Sequence, residues 1–111
     1  MKIVVLNGIR VSSTKDLHRI LQQKMAFPDY YGKNLDALYD QLSTERRPTL
    51  ILFFGARKWK EQMGLDGEAV IRVFEDASAI NPILRLLSVE RSPFKGKLLA
   101  NKGYAGKLIH R

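Results

Sequence analysis

The chain contains no cysteine. A disulfide framework, thiolate metal sites and a thiol nucleophile are therefore excluded, and the composition suits a reducing compartment. Histidine is nearly as scarce: His18 and His110 are the only two. Neither has a neighbour at metal-ligand spacing, so no metal site is expected. No apolar run approaches the roughly 18 residues that a membrane-spanning helix needs; the longest lies around residues 50–54. Residues 1–8 are too few for a signal peptide and offer no small-residue cleavage site, which makes a cytoplasmic location the expectation. A phosphate-binding loop is missing as well. In Gly103-Tyr104-Ala105-Gly106-Lys107 the first glycine of that motif would fall on Asn101, and Leu108 stands where Ser or Thr is required. No cofactor is implied, and no nucleophile is paired with a base, so an enzyme is not expected.

What is present describes one globular domain. The chain has 111 residues, 45% of them apolar. A domain of this size buries roughly 60–70% of the surface that its unfolded chain exposes. The formal net charge is +8 and is unevenly spread. Residues 1–85 carry 13 Lys or Arg against 10 Asp or Glu, whereas residues 86–111 carry 6 against 1. Residues 90–111, with Gly96, Gly103 and Gly106 among the lysines, read as a basic C-terminal extension to a domain over residues 1–89. The pairs Leu98-Leu99 and Leu108-Ile109 give that extension something to pack.

Residues 2–6 form a β-branched run closed by Asn7-Gly8, the pattern of a strand ending in a turn. Ser13 offers an N-cap oxygen, and Leu17, Ile20, Leu21 and Met25 recur at helical spacing, predicting a helix over Thr14–Met25. Pro28-Asp29-Tyr30-Tyr31-Gly32 is a turn-rich aromatic loop, followed by a helix from about 34 to 42 with Leu35, Leu38 and Leu42 as its core face. The unbroken apolar run Thr49–Phe54 suits a strand of a parallel sheet. A short helix over 58–63 and a longer one over 67–79 follow, the latter capped by Asp66 and striped by Val70, Val73, Phe74 and Ala77. Residues 83–89 give a last strand. The expected architecture is α/β: a three-stranded parallel sheet flanked by four helices, in the order β-α-α-β-α-α-β, with right-handed crossovers.

The informative stretch is Tyr30-Tyr31-Gly32-Lys33-Asn34-Leu35-Asp36-Ala37-Leu38-Tyr39-Asp40. Asp36 and Asp40 are four residues apart and lie on one helix face, opposite the leucines. Like charges at this spacing repel by roughly 0.2–0.5 kcal/mol, so the pair does nothing for folding. Acidic residues on a helix are ordinarily just solvated. Yet Tyr30, Tyr31 and Tyr39 can frame these carboxylates with rigid amphipathic rings, which suits a surface for a basic partner.

This stretch resembles the signature of the barstar family. So do Asp16-Leu17-His18 in the first helix and Val73-Phe74-Glu75-Asp76-Ala77 near the end of the last. The likeness covers roughly residues 1–89. It implies an intracellular protein that inhibits a secreted or toxin-type ribonuclease, a barnase-type enzyme or a relative, by plugging its active site. Acidic side chains then stand in for RNA phosphates. By that resemblance Asp40 is the central carboxylate and Asp36 the one a turn earlier. Tyr30 packs on the nuclease's catalytic histidine. Asn34, Tyr39 and Ser43 are flanking contacts, and Asp76 is a further acidic contact. Tyr39 stands where the family relative has tryptophan. The loop Ser43-Thr44-Glu45-Arg46-Arg47 lacks the family's glycine–tryptophan pair and carries two arginines. An alternative reading is an RNA-binding module that uses the basic segment 90–111. No membrane partner is expected.

Overall fold

The computed structural model describes residues 1–90. The basic extension, apart from Glu90, lies outside the described residues, together with the rejected phosphate-loop stretch and His110. Three strands, β1 (Lys2–Asn7), β2 (Thr49–Phe54) and β3 (Leu84–Val89), form a parallel sheet in the order β1-β2-β3. Helices α1 (Thr14–Met25) and α2 (Leu35–Ser43) connect β1 to β2, and α3 (Ala56–Ile80) connects β2 to β3. Both crossovers step across the sheet in the same direction, so connections of one hand place every helix on one face. No helix among the described residues is long and apolar enough to cross a membrane.

The pleat sorts the strand residues. Val4, Ile51 and Leu86 share one row, and Leu6 pairs with Phe53. On this face Val4, Leu6, Ile51, Phe53 and Leu84 join Leu17, Leu21, Leu38, Leu42, Trp59 and Phe74 in one core cluster. Phe53 sits at its centre, edge-on to Trp59 and Phe74 with ring centroids 6.0 and 5.8 Å apart. Burying each large side chain contributes about 1.5–3 kcal/mol. The opposite face carries the rows Ile3–Leu50–Arg85, Val5–Leu52–Leu87 and Asn7–Phe54–Val89, none of which belongs to that cluster.

The helix boundaries follow local chemistry. Ser13 is extended (φ −162°) and accepts the Asp16 N–H through its side chain at 3.0 Å, starting α1 as its sequence predicts. Ala26, in the left-handed region at φ 56°, ends it by donating its N–H back to the last turn. Asn34 caps α2 in the same way, its Oδ1 accepting the Ala37 N–H at 2.8 Å.

The two helices expected over 58–63 and 67–79 run together in α3 as two helical parts that meet at a kink, where Gly64 (φ 62°, ψ −139°) leaves the helical region. That combination is open essentially to glycine alone, so the chain axis turns within a single residue and no loop separates the two parts. Trp59 braces the bend by donating its indole N–H to the Gly67 carbonyl at 3.0 Å. A Cβ on Gly67 would come within 2.5 Å of Met63 Cβ, so the close packing there requires glycine. Asp66 lies inside α3, and no capping bond from it is present among the described residues. Leu35 is a second correction: it is 38% exposed, and the core face of α2 is Leu38 and Leu42 alone.

Candidate functional site

Helix α2 and the loop before it hold six of the seven residues singled out above. Leu38 and Leu42 are fully buried against the core, which rotates Asp36 and Asp40 to the opposite side, where both are exposed. Neither carboxylate has an ion-pair partner among the described residues, whose salt bridges are Arg19–Asp16 and Arg47–Glu45. Asp36 sits in the first turn of α2, where the helix dipole favours a negative charge. The C-terminal turn is held by Asp40's own carbonyl, which accepts the Thr44 hydroxyl at 2.7 Å and the Ser43 hydroxyl at 3.4 Å. Tyr39 is half-buried and packs on the core edge. Asp76 is exposed on α3, the helix packed most extensively on α2, but no hydrogen bond or ion pair joins it to the α2 group among the described residues.

The two loop tyrosines separate. Tyr30 is 82% exposed, whereas Tyr31 is 5% exposed and turned inward. Of the three rings expected to frame the carboxylates, Tyr31 therefore does not. Its ring packs on Phe27 with centroids 4.8 Å apart, and its hydroxyl lies 2.6 Å from Nδ1 of the buried His18. Burial pushes the Tyr31 phenol well above its ordinary range. Burial also holds the His18 pKa below its ordinary value, helped by the nearby Lys33 charge. A protonated phenol and a neutral imidazole thus share one buried hydrogen bond, and it ties the loop to α1. Residues 13 apart make this pair, and no local spacing announces it. Gln22 adds a second tie by donating to the Pro28 carbonyl at 3.0 Å.

Arg47 is a further brace that the sequence does not reveal. Its Nε donates to Glu45 Oε2 at 3.0 Å and its guanidinium reaches the Met25 carbonyl at 3.2 Å. Burial works against the Glu45 charge, but the hydrogen bonds from Arg47 prevail and lower its pKa. Of the two loop arginines, Arg47 is therefore matched by Glu45. Asn81 completes the frame. Its amide donates to the carbonyls of Leu42 and Glu45 at 2.9 and 3.0 Å and locks the end of α2 to the end of α3.

Beside the acidic stripe is a hollow of about 480 Å³ lined by Lys15, His18, Lys33, Asn34, Leu35 and Val70, among others. Leu35 is exposed because it forms one wall of this hollow. No cluster of three or more His, Asp or Glu that could hold a metal occurs among the described residues.

Helix α2 thus presents two exposed carboxylates on its outward face, and the loop before it an exposed tyrosine. Residues 1–91 match the family model described as "Barstar (barnase inhibitor)". The chain belongs to the barstar family. A stretch of 43 residues is 44% identical to a protein of Bacillus subtilis (strain 168) named "Putative ribonuclease inhibitor YrdF". That stretch covers 39% of this chain and 47% of the relative, so it spans about half of the curated protein it matches. The barstar-family match covers every strand and helix described above.

Proposed function

We propose that this protein inhibits a ribonuclease by seating the exposed face of α2 and the preceding loop in the enzyme's active site. The observation that carries this reading is the Asp36–Asp40 pair. Two carboxylates stand side by side, exposed and without an ionic partner among the described residues, at a small repulsive cost to the helix. Against arginine, lysine and histidine groups that bind RNA phosphates, such carboxylates form charge-assisted, often bidentate hydrogen bonds. Asp40 occupies the centre of this contact and Asp36 the adjoining phosphate position. The Tyr30 ring covers an apolar or imidazole surface of the enzyme. Asn34, Tyr39 and Ser43 make the flanking contacts, and Asp76 extends the acidic surface from α3. Made and retained in the cytoplasm, the protein would shield its own cell from a ribonuclease destined for secretion or delivered as a toxin.

The test is a titration of a barnase-type microbial ribonuclease with the full chain, at low and at moderate salt. Stoichiometric inhibition is expected, with Asp40→Ala abolishing it while the circular dichroism spectrum stays unchanged. Undiminished inhibition by Asp40→Ala would remove α2 from the mechanism. The basic charge of residues 91–111 favours a second reading, RNA binding by phosphate contacts. Its mark would be an RNA affinity that falls steeply with salt and is indifferent to Asp40.

A further inference from the structure

We propose that Lys15 and Lys33, on the hollow beside the acidic stripe, grip an acidic side chain of the ribonuclease seated on α2 and so select among enzymes, an inference that rests on the function proposed above. Lys15 is exposed in the first turn of α1, and Lys33 is exposed in the loop that leads into α2. Both line the hollow of about 480 Å³, and both also line an adjoining one of about 310 Å³ with Ser12, Ser13, Asp16 and Arg19. Two ammonium groups from separate segments therefore stand together. The Lys33 charge is felt inside the hollow, since after burial it is what holds the His18 pKa below its ordinary value.

No carboxylate of the described fold neutralises them. The salt bridges among the described residues are Arg19–Asp16 and Arg47–Glu45, so Arg19 is paired while Lys15 and Lys33 are not. Asp66 lines the larger hollow but forms no ion pair with either lysine. Lys33 also holds a left-handed backbone conformation, φ 54°, that residues with a side chain rarely adopt. Strained backbone of this kind clusters at ligand clamps and binding segments.

The surroundings select the occupant. Asn34 and Leu35 line the same hollow and Asp36 is the next residue, so an enzyme seated on the carboxylates also lies over the lysines. The exposed Leu35 and the buried Val70 give the hollow apolar walls. A charge pair shielded from water by such walls is stronger than one in open solvent. An RNA strand would have to run its phosphates past Asp36 and Asp40, which repel them. A uniformly basic protein surface would be repelled by Lys15 and Lys33. A protein surface that is cationic over the stripe and carries a carboxylate beside it matches both signs at once. Mixed patterns of this kind give specificity in part by penalising wrong partners.

The sign of a charge reversal separates this contact from general attraction. The chain carries a net charge of +8, so long-range forces alone would let a basic ribonuclease bind a less basic inhibitor better. At these two positions the opposite is expected. In titrations of barnase-type microbial ribonucleases with the full chain, Lys15→Glu with Lys33→Glu should weaken inhibition about tenfold, and Lys15→Gln with Lys33→Gln by less. Lys60→Glu, an exposed reversal that does not line the hollow, should leave inhibition unchanged or strengthen it. Among Asp→Lys and Glu→Lys variants of the enzyme outside its catalytic residues, at least one should bind the wild-type chain less well and regain affinity for the double reversal. Inhibition unchanged or improved by the double reversal, or the lack of any rescuing enzyme variant, would overturn the proposal, while loss of inhibition in Asp40→Ala would keep the proposed function in place. Were the wild-type chain to inhibit none of these enzymes, the proposed function and this contact would fall together. Binding of a short single-stranded RNA to the chain alone, lost in the double reversal, would overturn the proposal in favour of a phosphate ligand. Should the double reversal lose the native circular dichroism spectrum, the Lys→Gln pair carries the same readout.

Discussion

The outward stripe of α2 and the buried brace behind it come from one short stretch of chain, yet they treat polarity in opposite ways. Tyr30 and Tyr31 are adjacent, one 82% and the other 5% exposed. Behind Tyr31, a phenol and an imidazole are buried together with a hydrogen bond between them, so their polarity is matched within the fold. On the stripe, Asp36 and Asp40 are exposed, repel each other and have no ionic partner among the described residues. Polar groups that the fold has already satisfied serve the scaffold. Polar groups that stay in water without a protein partner leave their charge available, which is what the proposed inhibitory role requires. The brace, with Arg47 and Asn81, ties the chain at both ends of α2.

Substitutions can break this contrast or sharpen it. The largest effect is expected from Tyr31→Ala, which removes a buried ring and should lower folding stability by about 3–5 kcal/mol in urea unfolding. Inhibition per folded molecule should persist, since Tyr31 does not reach the surface. Asp40→Ala should do the reverse. It should weaken nuclease binding by about 2 kcal/mol or more, measured by inhibition titration, while stability stays within about 0.5 kcal/mol. Were stability to fall in step with binding, the stripe would be scaffold after all. Tyr31→Phe keeps the ring but strips His18 Nδ1 of its buried partner, for an expected loss of about 1–3 kcal/mol in the same unfolding assay.

Acid tests the brace without mutation. The folded state holds the His18 pKa below its ordinary 6.5, first through burial and then through Lys33. The unfolded chain therefore binds a proton more readily than the folded one, and stability must fall as pH drops from 6.5 toward the lowered folded value. Unfolding free energies measured across that window should show this slope, and His18→Gln should flatten it. The smallest effect belongs to the stripe. Asp40→Asn relieves the repulsion with Asp36 and should stabilise the protein by about 0.2–0.5 kcal/mol at low salt, with the gain shrinking as salt is raised.

Much of this was legible in the chain itself, element by element. Ser13 marks a helix start because a cap is a contact over three residues. Leu17, Leu21, Leu38 and Leu42 mark buried stripes because helical period is local. The Asp36–Asp40 pair needs only spacing, and the barstar resemblance adds the role of each residue. The break between the last two helical parts falls at Gly64, but only the backbone shows that the parts abut across a kink with no loop between them. Leu35 failed because a stripe of three leucines does not say how far the neighbouring helices extend to cover it.

Sequence alone determined the three strands, the start of α1 at Ser13 and the pairing of two carboxylates on one face, because each depends on residues within a turn or two of one another. Tertiary structure alone decided which tyrosine turns inward, which arginine is matched by a carboxylate and which face of the sheet the helices cover. Those outcomes rest on His18 meeting Tyr31, Arg47 reaching Met25, and both crossovers packing on one side. They are set by competition for burial among segments far apart in the chain, which no local pattern encodes.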